Sequence, residues 1–356
     1  MKKHANIPLF VVHMGCPNQC VFCNQRLISG TSSFSAENAE EQIERSLATL
    51  KGTGRQAEIA FFGGSFTGIE RSLMIRLLDM AQKYVQQGSV SGIRMSTRPD
   101  YIDADILSVL SRYTISCVEL GIQSMSDSVL RITKRGHTAE DTRRACRLLA
   151  KSGIPFAGQM MIGLPGATPE DEIHCAREIA RMGAVSYRVY PTLVFRHTEL
   201  AEMYEKGEYV PLSVEDAVAR MSAVMAVMEE WGLTCLRAGL CESDNLHDPA
   251  ALCAGPNHPA IGELARSALM LWNMEAACEE KTKNGARLKE SSATFSVPVG
   301  KASAAAGHKR ENILYLCAKY GIKSVKIIEK SQQIGYNIIL DVCPIKERRG
   351  GEISCV

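Results

Sequence analysis

Short apolar segments rich in Val, Ile and Phe alternate with longer amphipathic stretches through the first two thirds of the chain, and this alternation constrains the fold most strongly. Residues 8–13, 57–62, 92–97, 117–122, 156–162 and 187–192 read as strands. Between them, 36–50, 70–87, 104–111, 139–151 and 170–182 carry helical spacing. Several helix starts are explicit. Thr168 stands before Pro169, Glu170 and Asp171, which supplies a capping hydroxyl, a proline at the first helical position and acids at the positive end of the helix dipole. Thr138 before Glu140 and Asp141, and Ser213 before Glu215 and Asp216, repeat the device. Strand–helix alternation implies parallel strands with covering helices. Six such units are too few to close an eight-stranded barrel. The expected fold is therefore α/β, either a partial (β/α)6 TIM-like barrel or an open doubly wound sheet, which alternation alone leaves open. Both gather ligands at the C-terminal ends of their strands.

A helix over 215–231 and a short strand over 234–237 follow, and the pattern changes near residue 254. Helices over 261–271 and 312–320, with strands over 294–299, 324–328 and 336–342, describe a small C-terminal α+β domain. Residues 280–290 read as charged and exposed, and the last dozen or so as frayed. The expected division is 1–254 for the barrel and 255–356 for the smaller domain.

Three cysteines follow the first strand, Cys16, Cys20 and Cys23, spaced Cys-x3-Cys-x2-Cys. Three thiolates so close can hold three irons of a 4Fe-4S cube, and a fully ligated cube takes four protein ligands. The fourth iron is then open to a substrate or cofactor, an arrangement that fits one-electron chemistry better than storage. Two plainer readings stand beside this one. Three cysteines with a water or His13 could hold zinc, although structural zinc favours two separated pairs and no second Cys-x2-Cys is present. The triplet could also be chance among 13 cysteines, or a disulfide, which fits poorly with a chain showing no secretory signal.

No apolar run approaches the roughly 18 residues of a membrane span, and no apolar stretch follows the N-terminal Lys2 and Lys3, so the expectation is a cytoplasmic protein without a membrane partner. Most of the remaining cysteines, such as Cys117, Cys146 and Cys175, sit in apolar patterns as small core residues. The net charge of +2 announces no nucleic-acid binder. From residue 256 onward, however, about 15 Lys and Arg face about 10 Asp and Glu. A modestly basic tail is compatible with an RNA backbone, and equally with an ordinary solvated surface.

Unusual short motifs fall at the strand ends. Gly63, Gly64 and Ser65 follow the second strand, where glycines admit close backbone approach and carbonyls can take an ammonium, or simply form a tight turn. Ser96 and Thr97 end the third, with hydroxyls suited to a ribose or carboxylate; Arg98 next to them could meet an anion or pair with Asp100. Glu119, Gly121 and Gln123 share one face of the fourth strand by the period of two, and buried polar side chains there need partners, a ligand among them. Arg135 and His137 lie in a basic turn before a helix, and His137 is equally a helix-flanking residue. Gly163 ends the fifth strand, where a glycine admits a planar ring against the backbone or serves a plain βα turn. Gln123, Arg135 and Gln159 are the candidates for cofactor ribose and carboxylate contacts, by position.

Together these motifs resemble the radical S-adenosylmethionine superfamily. Cys-x3-Cys-x2-Cys after the first strand is similar to its signature, Phe22 to the aromatic before its third cysteine, and Gly63-Gly64-Ser65 to its glycine-glycine motif with Ser65 in place of the commoner Glu. The resemblance implies a radical SAM barrel in which Cys16, Cys20 and Cys23 ligate three irons of a 4Fe-4S cluster. S-adenosylmethionine would chelate the fourth, the Gly63-Gly64 backbone would receive its ammonium, and the Phe22 backbone would contact adenine. Reductive cleavage would give a 5′-deoxyadenosyl radical, fed by an electron donor such as a flavodoxin or ferredoxin. Within the superfamily, the blocks at 96–100, 119–124, 135–137, 161–166 and 190–194 resemble, in order, those of the Elongator catalytic-subunit family, which modifies the wobble uridine of tRNA. The likeness covers roughly residues 7–270 and implies a tRNA or other RNA substrate. Two departures stand out: that family spaces its first two cysteines more widely, and about 100 residues after the barrel show no acetyl-CoA loop of its acetyltransferase domain. A porphyrinogen oxidase-like enzyme is the runner-up, with His13 three residues before Cys16 but no Tyr-x-His-x-Pro lead-in; a non-catalytic iron–sulfur or haem delivery protein is the alternative from another class. No residue is assigned to catalysis itself.

Overall fold

The computed structural model describes residues 4–11, 14–16, 20–25, 27, 34–241, 243–331 and 335–344. In chain order come β1 (His4–Phe10), α1 (Ala39–Leu50), β2 (Gln56–Phe62), α2 (Arg71–Gln86), β3 (Ile93–Thr97), α3 (Ala104–Leu110), β4 (Ile115–Gln123), α4 (Asp127–Ile132), α5 (Ala139–Lys151), β5 (Phe156–Ile162), α6 (Pro169–Arg181) and β6 (Ser186–Pro191). The two-residue β7 (Val194–Phe195), α7 (Glu199–Glu205), α8 (Val214–Glu230), β8 (Thr234–Ala238) and β9 (Leu252–Ala254) follow. β1 to β6 and then β8 pair side by side in that order, every pair parallel. A parallel sheet whose neighbours are consecutive in the chain is wound one way only, which is the arrangement of a barrel and not of a doubly wound sheet. The half-barrel therefore has seven strands: the short strand expected near 234 joins the sheet beside β6.

The helix starts follow their signals. Thr138 and Thr168 each form a reciprocal capping box, with Asp141 and Asp171. At α8 the amide of Asp216 donates to the Ser213 hydroxyl at 3.0 Å. The first strand ends earlier than expected, at Phe10, although the Val11 amide still donates to the Phe62 carbonyl at 2.7 Å. Residues 12 and 13, and so His13, lie outside the described residues.

The inner face of the sheet carries a polar network, most of it buried. Glu119 of β4 has no exposure. Its carboxylate accepts from Arg94 of β3 at 3.2 Å, from Arg188 of β6 at 2.6 and 3.1 Å, and from Gln159 of β5 at 3.0 Å. Arg94 also donates to Glu58 of β2 at 2.9 Å, and His4 of β1 stands 2.9 Å from the same carboxylate. One network thus reaches from β1 to β6. It pairs two buried guanidiniums with two carboxylates, and buried charge is tolerated when so paired.

The two loops at the top of β1 and β2 touch backbone to backbone. A Cβ on Gly15 would stand 2.3 Å from the Ser65 carbonyl oxygen, and one on Gly64 would stand 2.5 and 2.7 Å from those of Met14 and Val11. The Ser65 amide donates to Met14 at 3.2 Å across this contact. Gly64 is therefore glycine for close approach of protein backbone, and Gly15, at φ +73°, answers both to approach and to conformation.

Two compact units divide the chain, 1–217 with 233–259 and 218–232 with 260–356. The expected single cut after 254 would leave α8 entirely with the barrel. Most of it instead belongs to the second unit, with Met221, Met225 and Met228 buried and the Ser222 hydroxyl donating to Ala265 at 2.9 Å. That unit contains α9 (Ile261–Lys283), β10 (Ser291–Pro298), α10 (Ala302–Ala306), α11 (Glu311–Tyr320), β11 (Ser324–Lys330) and β12 (Ile339–Pro344). β10 is central, parallel to β11 and antiparallel to β12. Buried Asn312 of α11 donates to Ser267 of α9 at 3.1 Å and to Ala305 of α10 at 3.3 Å, tying the three helices. α9 runs well past residue 271, into the segment read as an exposed charged stretch, because Met274 and Cys278 continue its buried face.

Glu119→Leu strands Arg188 in the interior and is expected to cost about 3–5 kcal/mol in urea unfolding; a midpoint equal to that of wild type would remove the network from the account of stability. Gly64→Ala forces two backbones apart, at about 1–3 kcal/mol. It is expected to lower the Tm and to speed alkylation of Cys16, read by mass spectrometry.

Candidate functional site

The cysteine loop crosses the C-terminal end of the sheet and is held at several points. Cys16 Sγ lies 3.3 Å from Ser65 Oγ. The Cys23 amide donates to the Cys20 carbonyl at 3.0 Å, closing a turn that carries two of the three sulfurs. The Val21 amide donates to Thr133 at 3.2 Å, and the Leu200 amide to Val21 at 2.8 Å. Cys20, Val21 and Phe22 are buried in an apolar cluster with Val129, Leu164 and Tyr209, and Cys23 packs against it. Water is thereby kept from one side of the sulfurs, and Phe22 acts as an anchor of the loop.

The three thiols share one electrostatic neighbourhood. Burial pushes the Cys23 thiol up to about 12; Cys20 adds to this, Arg135 opposes it, and Cys16 adds further. Arg135 is buried, with Nη1 donating to Cys20 Sγ at 3.1 Å and Nη2 to the Gly121 carbonyl at 2.6 Å. A β-bulge separates Gly121 from Gln123 in the pairing with β5, and Gln123 has φ +67°. The bulge breaks the period of two, so Gln123 folds back over Gly121. Gln123 Nε2 and Arg135 Nη2 stand 3.3 and 3.5 Å from where a Cβ on Gly121 would lie. Gly121 is small because these two side chains use its space. Gln123 Oε1 and Arg135 Nε are buried without a hydrogen-bond partner among the described residues. Buried His137 is held neutral, its pKa lowered to about 3 by burial and then by Arg135 and Arg98.

These residues fit an iron–sulfur cluster with a polar cofactor. Among the described residues no three His, Cys, Asp or Glu side chains converge on a single ion. A cube does not require it, because each thiolate binds a different iron. Orphaned polar atoms at the end of β4 are what an absent polar ligand leaves behind, since burial without a partner is costly. Gly63, at φ +90°, turns the backbone at the end of β2.

Other expected contacts go elsewhere. Ser96 accepts from Gln159 at 3.2 Å, and Gln159 also donates to Glu119, so both side chains belong to the polar floor. Thr97 is on the other face of β3, where its hydroxyl meets that of Thr67 at 2.6 Å. Gly163 is glycine for φ +72° and for Leu212, whose Cδ1 would be 2.8 Å from a Cβ; its amide and carbonyl are taken by Glu172 and Tyr209. Arg98 meets Asp100 through both prongs, at 3.0 and 2.9 Å, the plainer of its two readings. Arg94, Arg188, Gly15 and Leu212 escaped the sequence reading. Arg94 and Arg188 had a signal, a cation alternating with apolar residues inside a strand; the others had none without the tertiary contacts.

The Radical SAM superfamily matches residues 10–179, and the Radical SAM C-terminal domain matches 185–270. An uncharacterized protein of Methanocaldococcus jannaschii is 30% identical over 209 residues, covering 56% of this chain and 64% of that one. The tRNA uridine(34) acetyltransferase of the same organism is 35% identical over 140 residues, 38% of this chain and 26% of that one. Elongator complex protein 3 of Schizosaccharomyces pombe is 29% identical over 218 residues, covering 55% and 39%. The solved structure of Methanocaldococcus infernus Elp3 with an N-terminal deletion matches the fold with a TM-score of 0.58 at 24% identity, over 80% of this chain and 64% of that one. The chain thus spans less than two thirds of the length of each. None of these likenesses supports the porphyrinogen or cofactor-delivery readings. With the cysteine loop and the parallel half-barrel both inside the matched residues, the chain belongs to the radical SAM superfamily, enzymes that work with a 4Fe-4S cluster and S-adenosylmethionine.

Proposed function

We propose that this radical SAM enzyme acts on RNA, with a tRNA base as substrate. The observation that carries the reading is the likeness of its barrel to proteins named tRNA uridine(34) acetyltransferase and Elongator complex protein 3, at 35% and 29% identity. The basic balance after residue 256, about 15 cationic against about 10 anionic side chains, supports contact with a phosphate backbone. Acetyl transfer is outside the proposal, because the likeness covers the radical SAM part of this chain.

Cys16, Cys20 and Cys23 are the proposed iron ligands, and the backbone of Gly63 and Gly64, the Phe22 backbone, Ser65, Gln123 and Arg135 are the proposed surroundings of the cofactor. When bound, cluster and cofactor supply one-electron cleavage of the sulfonium and a radical that takes a hydrogen atom from the substrate. The chain's part is to hold and to exclude. Val21 and Phe22 seal the loop from water by burial in the apolar cluster. Gln123 offers a buried amide oxygen to a donor. Arg135 sets a positive charge against the thiolates, which must lose their protons on metal binding. An electron donor of the flavodoxin or ferredoxin kind completes the scheme. Among the described residues no helix is long and apolar enough to cross a membrane.

After anaerobic reconstitution with iron and sulfide, and addition of dithionite and S-adenosylmethionine, wild type is expected to release 5′-deoxyadenosine and Cys20→Ala none above background, by mass spectrometry. Unmodified bulk tRNA is expected to raise that yield and to acquire a nucleoside of new mass. A yield indifferent to tRNA, with the nucleoside profile unchanged, would sink the RNA reading while leaving the radical chemistry in place.

A further inference from the structure

Arg135 lies in the turn between α4 and α5, its side chain reaches the end of β4, and it was expected, by position, at the carboxylate or ribose of the cofactor. Its contacts differ. Nη1 donates to Cys20 Sγ at 3.1 Å, Nη2 to the Gly121 carbonyl at 2.6 Å, and its own carbonyl accepts from Arg98 Nη2. Arg98 is buried and clamped by Asp100 through two hydrogen bonds at 3.0 and 2.9 Å. The side chain of Arg135 is therefore anchored to β4 and its backbone to the Arg98–Asp100 pair. Both guanidiniums are buried, so neither swings freely into solvent. Among the described residues Arg135 has no carboxylate within ion-pair distance; its cation faces sulfur.

We infer that Arg135 is a positioning residue for the iron–sulfur cluster, donating to the Cys20 sulfur and favouring the reduced over the oxidised cluster. The inference rests on the assignment of Cys16, Cys20 and Cys23 as iron ligands. Hydrogen bonds to ligating sulfurs and nearby positive charge stabilise the state carrying one more electron, and so raise the reduction potential. Burial strengthens the effect, because the charge is little screened by water. The orphaned Nε leaves the same guanidinium one donor for a bound cofactor, but the sulfur contact is the one already made.

The test compares wild type, Arg135→Gln and Arg135→Lys, each reconstituted anaerobically. Iron and sulfide content is measured, and the midpoint potential is followed by electron paramagnetic resonance in the absence of S-adenosylmethionine. Arg135→Gln is expected to shift the midpoint to more negative potential by a tenfold change in the reduction equilibrium, about 59 mV for one electron, or to load less cluster. Arg135→Lys, which keeps the charge, is expected to recover most of the loss. A Gln variant with the wild-type midpoint and load, or a Lys variant no better than Gln, overturns the inference. So does weakened S-adenosylmethionine binding with the midpoint unmoved, which returns Arg135 to the cofactor. Failure of the ligand assignment reads differently: wild type itself then holds no 4Fe-4S cluster.

Discussion

A carboxylate with no exposure, Glu119, organises the inner face of the half-barrel. A parallel sheet buries both faces, and strands of this kind are usually apolar on each. Here the outer face follows that rule and the inner face does not. Once Arg94 and Arg188 are inside, each needs a counter-charge at hydrogen-bond distance, because an unpaired buried ion costs far more than any hydrophobic contact returns. Glu119 serves both, Glu58 takes the second half of Arg94, and Gln159 fills the remaining acceptor site. The pairing spans β2 to β6, so a slip of one strand would break ion pairs on several others. Register, and with it the height of each loop at the rim, is fixed by electrostatics as well as by the backbone ladder.

Above this floor the charges are arranged differently. Glu58 and Glu119 balance Arg94 and Arg188, and Asp100 balances Arg98. Arg135 is left as a buried cation beside Cys20 and Cys23. A thiol in an apolar pocket resists ionisation, as Cys23 does, and the guanidinium works against that resistance. The loop that presents the sulfurs cannot retreat either: Gly15 and Gly64 let it lie directly on the next turn, where any side chain would collide with main-chain carbonyls. Site and scaffold are thus joined by rigid contacts, the condition for holding a reactive group within a fraction of an ångström.

Much of this was legible beforehand. Thr138 and Thr168 announced their helices because a capping box is a local device, complete within four residues. The parallel sheet followed from strand–helix alternation, its winding into a half-barrel only from the strand order, and the cysteine spacing is likewise local. What escaped was the choice of partner. Ser96 and Thr97 are neighbours with the same hydroxyl, yet one joins the polar floor and the other bonds Thr67 on the far face. Period-two alternation separates them without telling which face is the interior. Gln123 was placed by that period, and the bulge at its position overrode it. Gly163 looked like room for a ring, and Leu212, 49 positions along the chain, fills the room. Each case concerns a contact remote in sequence, where residue type states a need and only the fold states what meets it.

The topology bears on the size of substrate. β1 and β8 end the seven-stranded sheet and do not pair with each other, so the barrel does not close. A closed barrel of eight strands has an interior just wide enough for its own side chains. In this one the floor is already filled by the Glu119 network, which leaves the reactive end of the strands, and not the middle, as the place for chemistry. A base attached to a folded polymer can be worked on only when it leaves its stack and enters a site from outside. The proposed iron ligands lie at that end, so a base of the proposed RNA substrate would have to be presented there and not between the strands.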